Sequence, residues 1–294
     1  MIKLADNWKD YECIDAGNGE KLERWGKIVL RRPDPQAVWN TNHKGWEKAD
    51  AIYHRSKSGG GSWEMKKTLP EHWTIGYRGL TFKVSPTGFK HTGLFPEQAA
   101  NWDWMMDMIE KNKDKEIRIL NLFAYTGGAT MACSKAGAKE VVHVDASKGM
   151  VQWAKENMQL SHLEGNTIRF IVDDVLKFVK REQKRGHTYH GILMDPPSYG
   201  RGPNGEMWKL ENQLNELIEE TLKILDDDAL FFLVNAYTTG FSNTVLSNIL
   251  KTTVLTKFPN GTIETGEVGL PISKDDLVLP CGIYGKWTRN EDNL

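Results

Sequence analysis

The chain has 294 residues, 39% of them hydrophobic and 26% charged, with a formal net charge of −1. This profile suits an ordinary globular chain of one large or two modest domains, and no run reaches the roughly 18 apolar residues of a membrane helix. Cys13, Cys133 and Cys281 lie far apart with no C-x-x-C pair, which argues against a disulfide framework or a zinc site. No H-E-x-x-H spacing is present, so no metal is expected. The opening MIKLADNWKDYE carries acids where a secretion signal needs its apolar core. A cytoplasmic protein without membrane attachment is the expectation.

Residues 1–94 are rich in Trp, Gly and Pro, with short alternating runs at 27–31 and 80–84. Turn-forming clusters at 15–19 and 58–62 separate such runs. The pattern predicts a small β-rich N-terminal domain of antiparallel strands and hairpins, a candidate for substrate binding. The Ser-Gly-Gly-Gly-Ser stretch at 58–62 reads as a mobile hairpin tip. Residues 1–90 hold 16 Lys and Arg against 11 Asp and Glu. That bias suits a phosphate backbone, and equally a domain that is merely soluble.

The texture changes near residue 95. The spacing predicts helices over 96–110, 128–136 and 148–160, a short one through 178 after the third strand, and others over 210–225 and 241–250. Strands are predicted over 117–123, 141–144, 168–172, 192–195 and 230–234, with later ones around 252–258, 263–268 and 280–288. Strand–helix alternation implies an α/β domain over 95–294, a parallel sheet covered on both faces with right-handed crossovers. Ligands bind such sheets beyond the carboxyl ends of the strands.

The strand ends are chemically rich. The first runs LNLFAYTGGATMA, a strand entering a turn at Gly127-Gly128 where a ligand can approach the backbone closely. The second ends at Asp145, about twenty residues on, where an acid commonly holds a ribose diol. The third ends at Asp173-Asp174, where a carboxylate can accept from an adenine amino group. This ordered set fits an adenosyl ligand. The turn lacks the G-x-G-x-x-G spacing that cradles a pyrophosphate, which favours S-adenosylmethionine over a nicotinamide dinucleotide.

The fourth end reads ILMDPPSYGRG. Proline fixes φ and pushes its predecessor toward extended backbone, so Asp195 closes a strand and Pro196-Pro197 stiffens the loop behind it. Carbonyls on that loop, with Asp195, can orient an amino group for in-line methyl transfer. Tyr199 and Trp208 could stack on a base and Lys209 could meet phosphate. Each also reads as an ordinary surface or capping residue.

These four stretches in this order resemble a class I S-adenosylmethionine-dependent methyltransferase. They are most similar to the branch that holds the bacterial 23S rRNA cytosine-C5 and guanine-N7 enzymes, and FKVSPTGFKHTGLFPEQ is similar to that branch's lead-in. The resemblance covers roughly residues 75–240. It implies a Rossmann-like seven-stranded sheet in the order 3-2-1-4-5-7-6, with strand seven antiparallel. It implies cofactor contacts at His91, Thr92, Gln98, Phe123, Ala124, Tyr125, Thr126, Gly127, Asp145, Ser147 and Asp174. It sets Asp195 and Pro196 between cofactor and acceptor, with Asp195 touching both, and Pro197 completes the candidate catalytic loop.

Two features depart from that branch. The cytosine-C5 enzymes carry a Ser-Cys-Ser after strand five, where this chain reads Asn235-Ala236-Tyr237 with no cysteine near. The front shows no clear copy of the compact RNA-binding module. The expectation is an enzyme that methylates RNA, rRNA by analogy, at a base nitrogen without a catalytic cysteine. The alternatives are the same chemistry on a small molecule or a protein side chain, or a binding protein that keeps the fold without turnover. The oligomeric state is left open.

Overall fold

A computed structural model describes residues 1–57, 60–201 (Arg201 by its backbone alone) and 207–290. The front holds β1 (Ile2–Leu4), β2 (Tyr11–Gly17), β3 (Glu20–Trp25), β4 (Ile28–Pro33), β5 (Ala51–Arg55), β6 (Gly61–Met65), β7 (Trp73–Tyr77) and β8 (Leu80–Val84). Then come α1 (Ala99–Glu110), β9 (Arg118–Leu122), α2 (Gly128–Lys135), β10 (Glu140–Asp145), α3 (Lys148–Leu160), β11 (Ile168–Val172) and α4 (Val175–Arg185). The chain continues through β12 (Gly191–Met194), β13 (Tyr199–Arg201), β14 (Met207–Lys209), α5 (Leu210–Thr221), β15 (Phe231–Ala236), α6 (Asn243–Thr252), α7 (Val254–Lys257), β16 (Gly261–Pro271) and β17 (Val278–Arg289).

The large sheet has the order β1-β16-β17-β15-β12-β9-β10-β11. Numbering this sheet's seven strands after residue 95 in chain order and reading from β11, the order is 3-2-1-4-5-7-6. The seven strands expected are eight, because β1 pairs in parallel with β16 and adds an edge. Three residues at the far end of the chain carry too little pattern to announce that pairing. Only β17 runs against its neighbours β15 and β16.

Alternation along each strand splits the core in two. Ile119, Val141, Leu193 and Phe231 pack on one face, with Trp102 and Met105 of α1 and with Tyr11, Trp25 and Phe82 from the front. Leu120, Val142, Ile192 and Phe232 pack on the other, with Leu214 and Ile218 of α5. β12 and β15 are buried along their whole length, as continuous apolar strands in a parallel sheet should be. Strands β2 to β6 form a second sheet in chain order. Its β4–β5 pair is parallel rather than antiparallel. β7 and β8 form a hairpin docked on α3: Trp153 Nε1 donates to the Lys83 carbonyl at 3.0 Å.

Other expectations need correction. The 252–258 stretch is the end of α6 and the short α7, not a strand. Thr252 and Thr253 turn their hydroxyls onto carbonyls of the preceding turn, and Val254 is buried against the core. The helix after Asp174 runs on to Arg185, because Glu182 continues its buried stripe. The 58–62 stretch lies partly outside the described residues. Among the described residues no helix is long and apolar enough to cross a membrane.

Candidate active site

The turn after β9 is held in an uncommon backbone shape. Phe123 and Tyr125 both have positive φ, 56° and 53°, and Gly127 follows at 85°. For bulky residues each such angle costs about 1–3 kcal/mol and persists only where neighbours dictate it. Here they do. Ala124 donates its N–H to the Val144 carbonyl at 3.0 Å, and Tyr125 donates its N–H to Asp145 Oδ2 at 2.9 Å. Asp145 Oδ1 accepts from the Ser147 N–H at 2.8 Å. Ser147 in turn caps α3, its hydroxyl accepting from the Met150 N–H. The strand-two acid thus fixes two loops at once, and each of its oxygens keeps a lone pair for a ligand.

The lead-in reaches this turn through Gly93. Its carbonyl accepts from the Thr126 hydroxyl at 2.5 Å, which brings His91 and Thr92 beside the turn. The Thr92 hydroxyl is buried with no partner among the described residues. Asn157, fully buried on α3, donates to the Thr126 carbonyl at 2.9 Å and accepts from the Lys83 N–H at 2.8 Å. It locks β8 to the turn. Asp174 caps α4, its carboxylate accepting from the Lys177 N–H at 2.9 Å. Its neighbour Asp173 pairs with Arg181.

The acceptor side gathers around Asp195, half-buried at the end of β12. Burial first, and the charge of Glu97 second, push its carboxyl up to about 7. Glu97 sits in a short 3-10 turn that opens at Pro96, buried at 5% exposure. Tyr237 donates its hydroxyl to Glu97 Oε1 at 3.1 Å and accepts from Gln98 Nε2 at 2.7 Å. Asn101 donates to Gln98 Oε1 and to Asn235 Oδ1, both at 3.0 Å. One chain of hydrogen bonds therefore ties the end of β15 to the lead-in. Phe95 packs between the two halves, its ring 5.4 Å from His91, 5.3 Å from Tyr125 and 5.9 Å from Tyr237.

The loop behind Asp195 is anchored rather than free. Pro196 is buried and Pro197 exposed. Trp208 donates its indole N–H to the Pro197 carbonyl at 2.6 Å and packs on Phe123 at 6.1 Å between rings. Thr238 donates to the Ser198 hydroxyl at 2.7 Å. Tyr199 and Lys209 face each other across the β13–β14 pair, with Tyr199 49% exposed and Lys209 exposed. The sequence also sets Glu206 where an acceptor would enter, and that residue lies outside the described residues.

Sequence reasoning missed Glu97, Asn101, Asn157 and Cys281. The first two stand four apart around Gln98, a helical spacing that could have drawn attention. Cys281 corrects the expectation of no cysteine near the end of strand five. It is skipped by the register shift between β16 and β17, and its neighbour Gly282 lies against the Tyr237 ring. Burial first and Glu97 second push its thiol far above the ordinary range. That is the reverse of what a nucleophilic thiolate needs.

A family model described as S-adenosylmethionine-dependent methyltransferase matches residues 37–224. The crystal structure of an S-adenosylmethionine-dependent methyltransferase from Agrobacterium tumefaciens is 36% identical, with a TM-score of 0.92, over 99% of this chain and 94% of that one. This chain belongs to the S-adenosylmethionine-dependent methyltransferase family. The methyltransferase is thus an enzyme that uses S-adenosylmethionine. A second methyltransferase structure, a complex with SAH, shares the fold at 17% identity and a TM-score of 0.73, over 96% of this chain and 76% of that one. Among curated proteins, ribosomal RNA large subunit methyltransferase K/L of Shewanella frigidimarina is 34% identical over 50% of this chain and 20% of its own length. The protein of that name from Colwellia psychrerythraea is 26% identical over 72% of this chain and 27% of its own. The methyltransferase therefore spans about a quarter or less of these curated relatives.

Proposed function

We propose that this methyltransferase modifies RNA, and ribosomal RNA in particular, at a base nitrogen and without a cysteine adduct. The observation that carries this reading is the pair of acids, half-buried Asp195 and buried Glu97, where an acceptor would enter, with the nearby Cys281 held as a neutral thiol. A carboxylate accepts a hydrogen bond from an amino N–H and turns the nitrogen lone pair outward. A carbon acceptor would instead call for a thiolate. The names of the curated relatives and the basic bias of residues 1–90 support RNA as the substrate class.

The donor set fits the cofactor. Asp145 keeps lone pairs on both oxygens for a ribose diol, and the Phe123–Gly127 turn offers backbone groups without a pyrophosphate cradle. When bound, S-adenosylmethionine supplies the electrophilic methyl group. In this reading His91, Thr92 and the Phe123–Gly127 turn, with Asp145, Ser147 and Asp174, hold it. Gln98, through Tyr237, steadies the acceptor side instead of touching the cofactor alone. Asp195 and the Pro196 and Pro197 carbonyls orient the acceptor, and Trp208 stiffens that loop through Pro197. Tyr199 and Lys209 meet the nucleotide from the exposed hairpin. Residues 1–94 form the substrate-facing part.

The test is methyl-tritiated S-adenosylmethionine incubated with the enzyme and total RNA from a strain lacking its gene. Label lost on RNase treatment and found on a base nitrogen by nucleoside mass spectrometry supports the reading. Label on carbon, or label that survives RNase in protein or small metabolites, refutes it.

A further inference from the structure

The front sheet brings an unbalanced group of cations to the edge of this site. Lys21 and Arg32 are cross-strand partners on β3 and β4. Arg32, 6% exposed, donates to both oxygens of Glu23 at 2.6 and 2.8 Å, and through Nη1 to the Lys90 carbonyl at 2.9 Å. Lys21 bridges Asp34 at 3.2 Å and Glu23 at 3.6 Å. Both carboxylates are therefore already engaged. Lys90 is the member left over. Among the described residues its ammonium forms no ion pair, although it is only partly exposed.

The position of Lys90 is informative. It precedes His91, whose ring packs on Phe95 between Tyr125 and Tyr237. The loop that carries it is pinned, since Thr87 donates its hydroxyl to the His91 carbonyl at 2.8 Å and Trp63 donates to the Thr87 carbonyl at 2.9 Å. Arg55, exposed at the end of β5, adds a fourth positive charge that acts on both Lys90 and His91. Taking an ammonium partly out of water among like charges is costly unless an anion joins it. The surroundings register this cost. Burial first, then Lys21, lowers the pKa of Lys90, and burial followed by Arg32 and Lys90 pushes His91 down to about 4.

We propose that Lys90, backed by Lys21, Arg32 and Arg55, is an anion subsite that takes a phosphate group of the methyl acceptor next to the base presented to Asp195. This rests on the reading of RNA as substrate. A phosphate seated there supplies the missing countercharge and fixes the acceptor's register, while carrying no base information itself.

Inorganic phosphate is the probe, added to the full chain at constant ionic strength against chloride, with thermal stability as the readout. The expected result is a saturable rise in melting temperature, with phosphate affinity about tenfold weaker in Lys90→Gln and restored in Lys90→Arg. Calorimetric affinity for S-adenosylmethionine stays unchanged in both. With single-stranded RNA, Lys90→Gln lowers the slope of log affinity against log salt by about 0.7, one phosphate contact. No phosphate response, or an equal response in Lys90→Gln, overturns the subsite even if RNA is methylated. A Lys90-dependent phosphate response without label in RNA upholds the subsite and refutes RNA as the acceptor.

Discussion

Tyr237 and Glu97, 140 positions apart, meet at 3.1 Å, the hydroxyl of Tyr237, just past β15, donating to the lead-in carboxylate. The contact joins the lead-in to the fifth strand, and so encloses the place where Asp195 ends the fourth. Tyr237→Phe removes the donor to Glu97 and the acceptor of Gln98 Nε2 together. Leaving such buried groups unpaired costs about 1–3 kcal/mol. Chemical denaturation should report that loss, with S-adenosylmethionine affinity nearly unchanged.

In the proposed reading Asp145 acts on the cofactor side alone. Asp145→Ala releases the Tyr125 and Ser147 amides and with them the left-handed turn. Hydrogen bonds to a charged group are worth about 1.5–3 kcal/mol. Titration calorimetry should show S-adenosylmethionine binding weakened by about 10- to 100-fold or more.

Gly93 should tolerate no side chain. Its φ is 93°, and a Cβ there would lie 2.2 Å from the Trp153 ring. Strain and overpacking together predict that Gly93→Ala costs at least about 2 kcal/mol. Thermal melting should fall by about 4 °C or more.

The carboxyl of Asp195 gives the pH dependence. Its folded-state value, about 7, lies above the roughly 3.9 of an unfolded Asp. Its stability contribution is therefore fully present below about pH 3.9 and is lost as pH rises through about 7. Activity runs the other way, because the ionised form is the one that accepts from an amino group. The kcat/KM profile should climb to a plateau above about pH 7. Glu97→Gln removes a charge that helps hold Asp195 up, so the climb should shift to lower pH. A climb that stays in place would remove Glu97 from this role.

The strand-ending acids were plain in the sequence, because apolar runs that stop at Asp145 and Asp195 place both at the carboxyl edge of the sheet. Partners set by topology were hidden. Glu97 reads as part of a helix start, and Cys281, 44 residues from Tyr237 in sequence, sits on β17 next to Gly282, which lies against the Tyr237 ring. The end of α4 was hidden for another reason. Its last buried position is Glu182, an acid made acceptable inside by the Tyr189 hydroxyl at 2.6 Å and by Arg185 and His187. Periodicity read from apolar residues alone stops before it.

The most direct test of the account is Asp195→Ala, assayed twice on the same preparation. Calorimetry with S-adenosylmethionine should give an affinity close to that of the unaltered enzyme. Tritiated methyl transfer to RNA should fall by about 10²- to 10⁴-fold. Retained transfer, or loss of cofactor binding in step with loss of transfer, would contradict the placing of Asp195 at the acceptor.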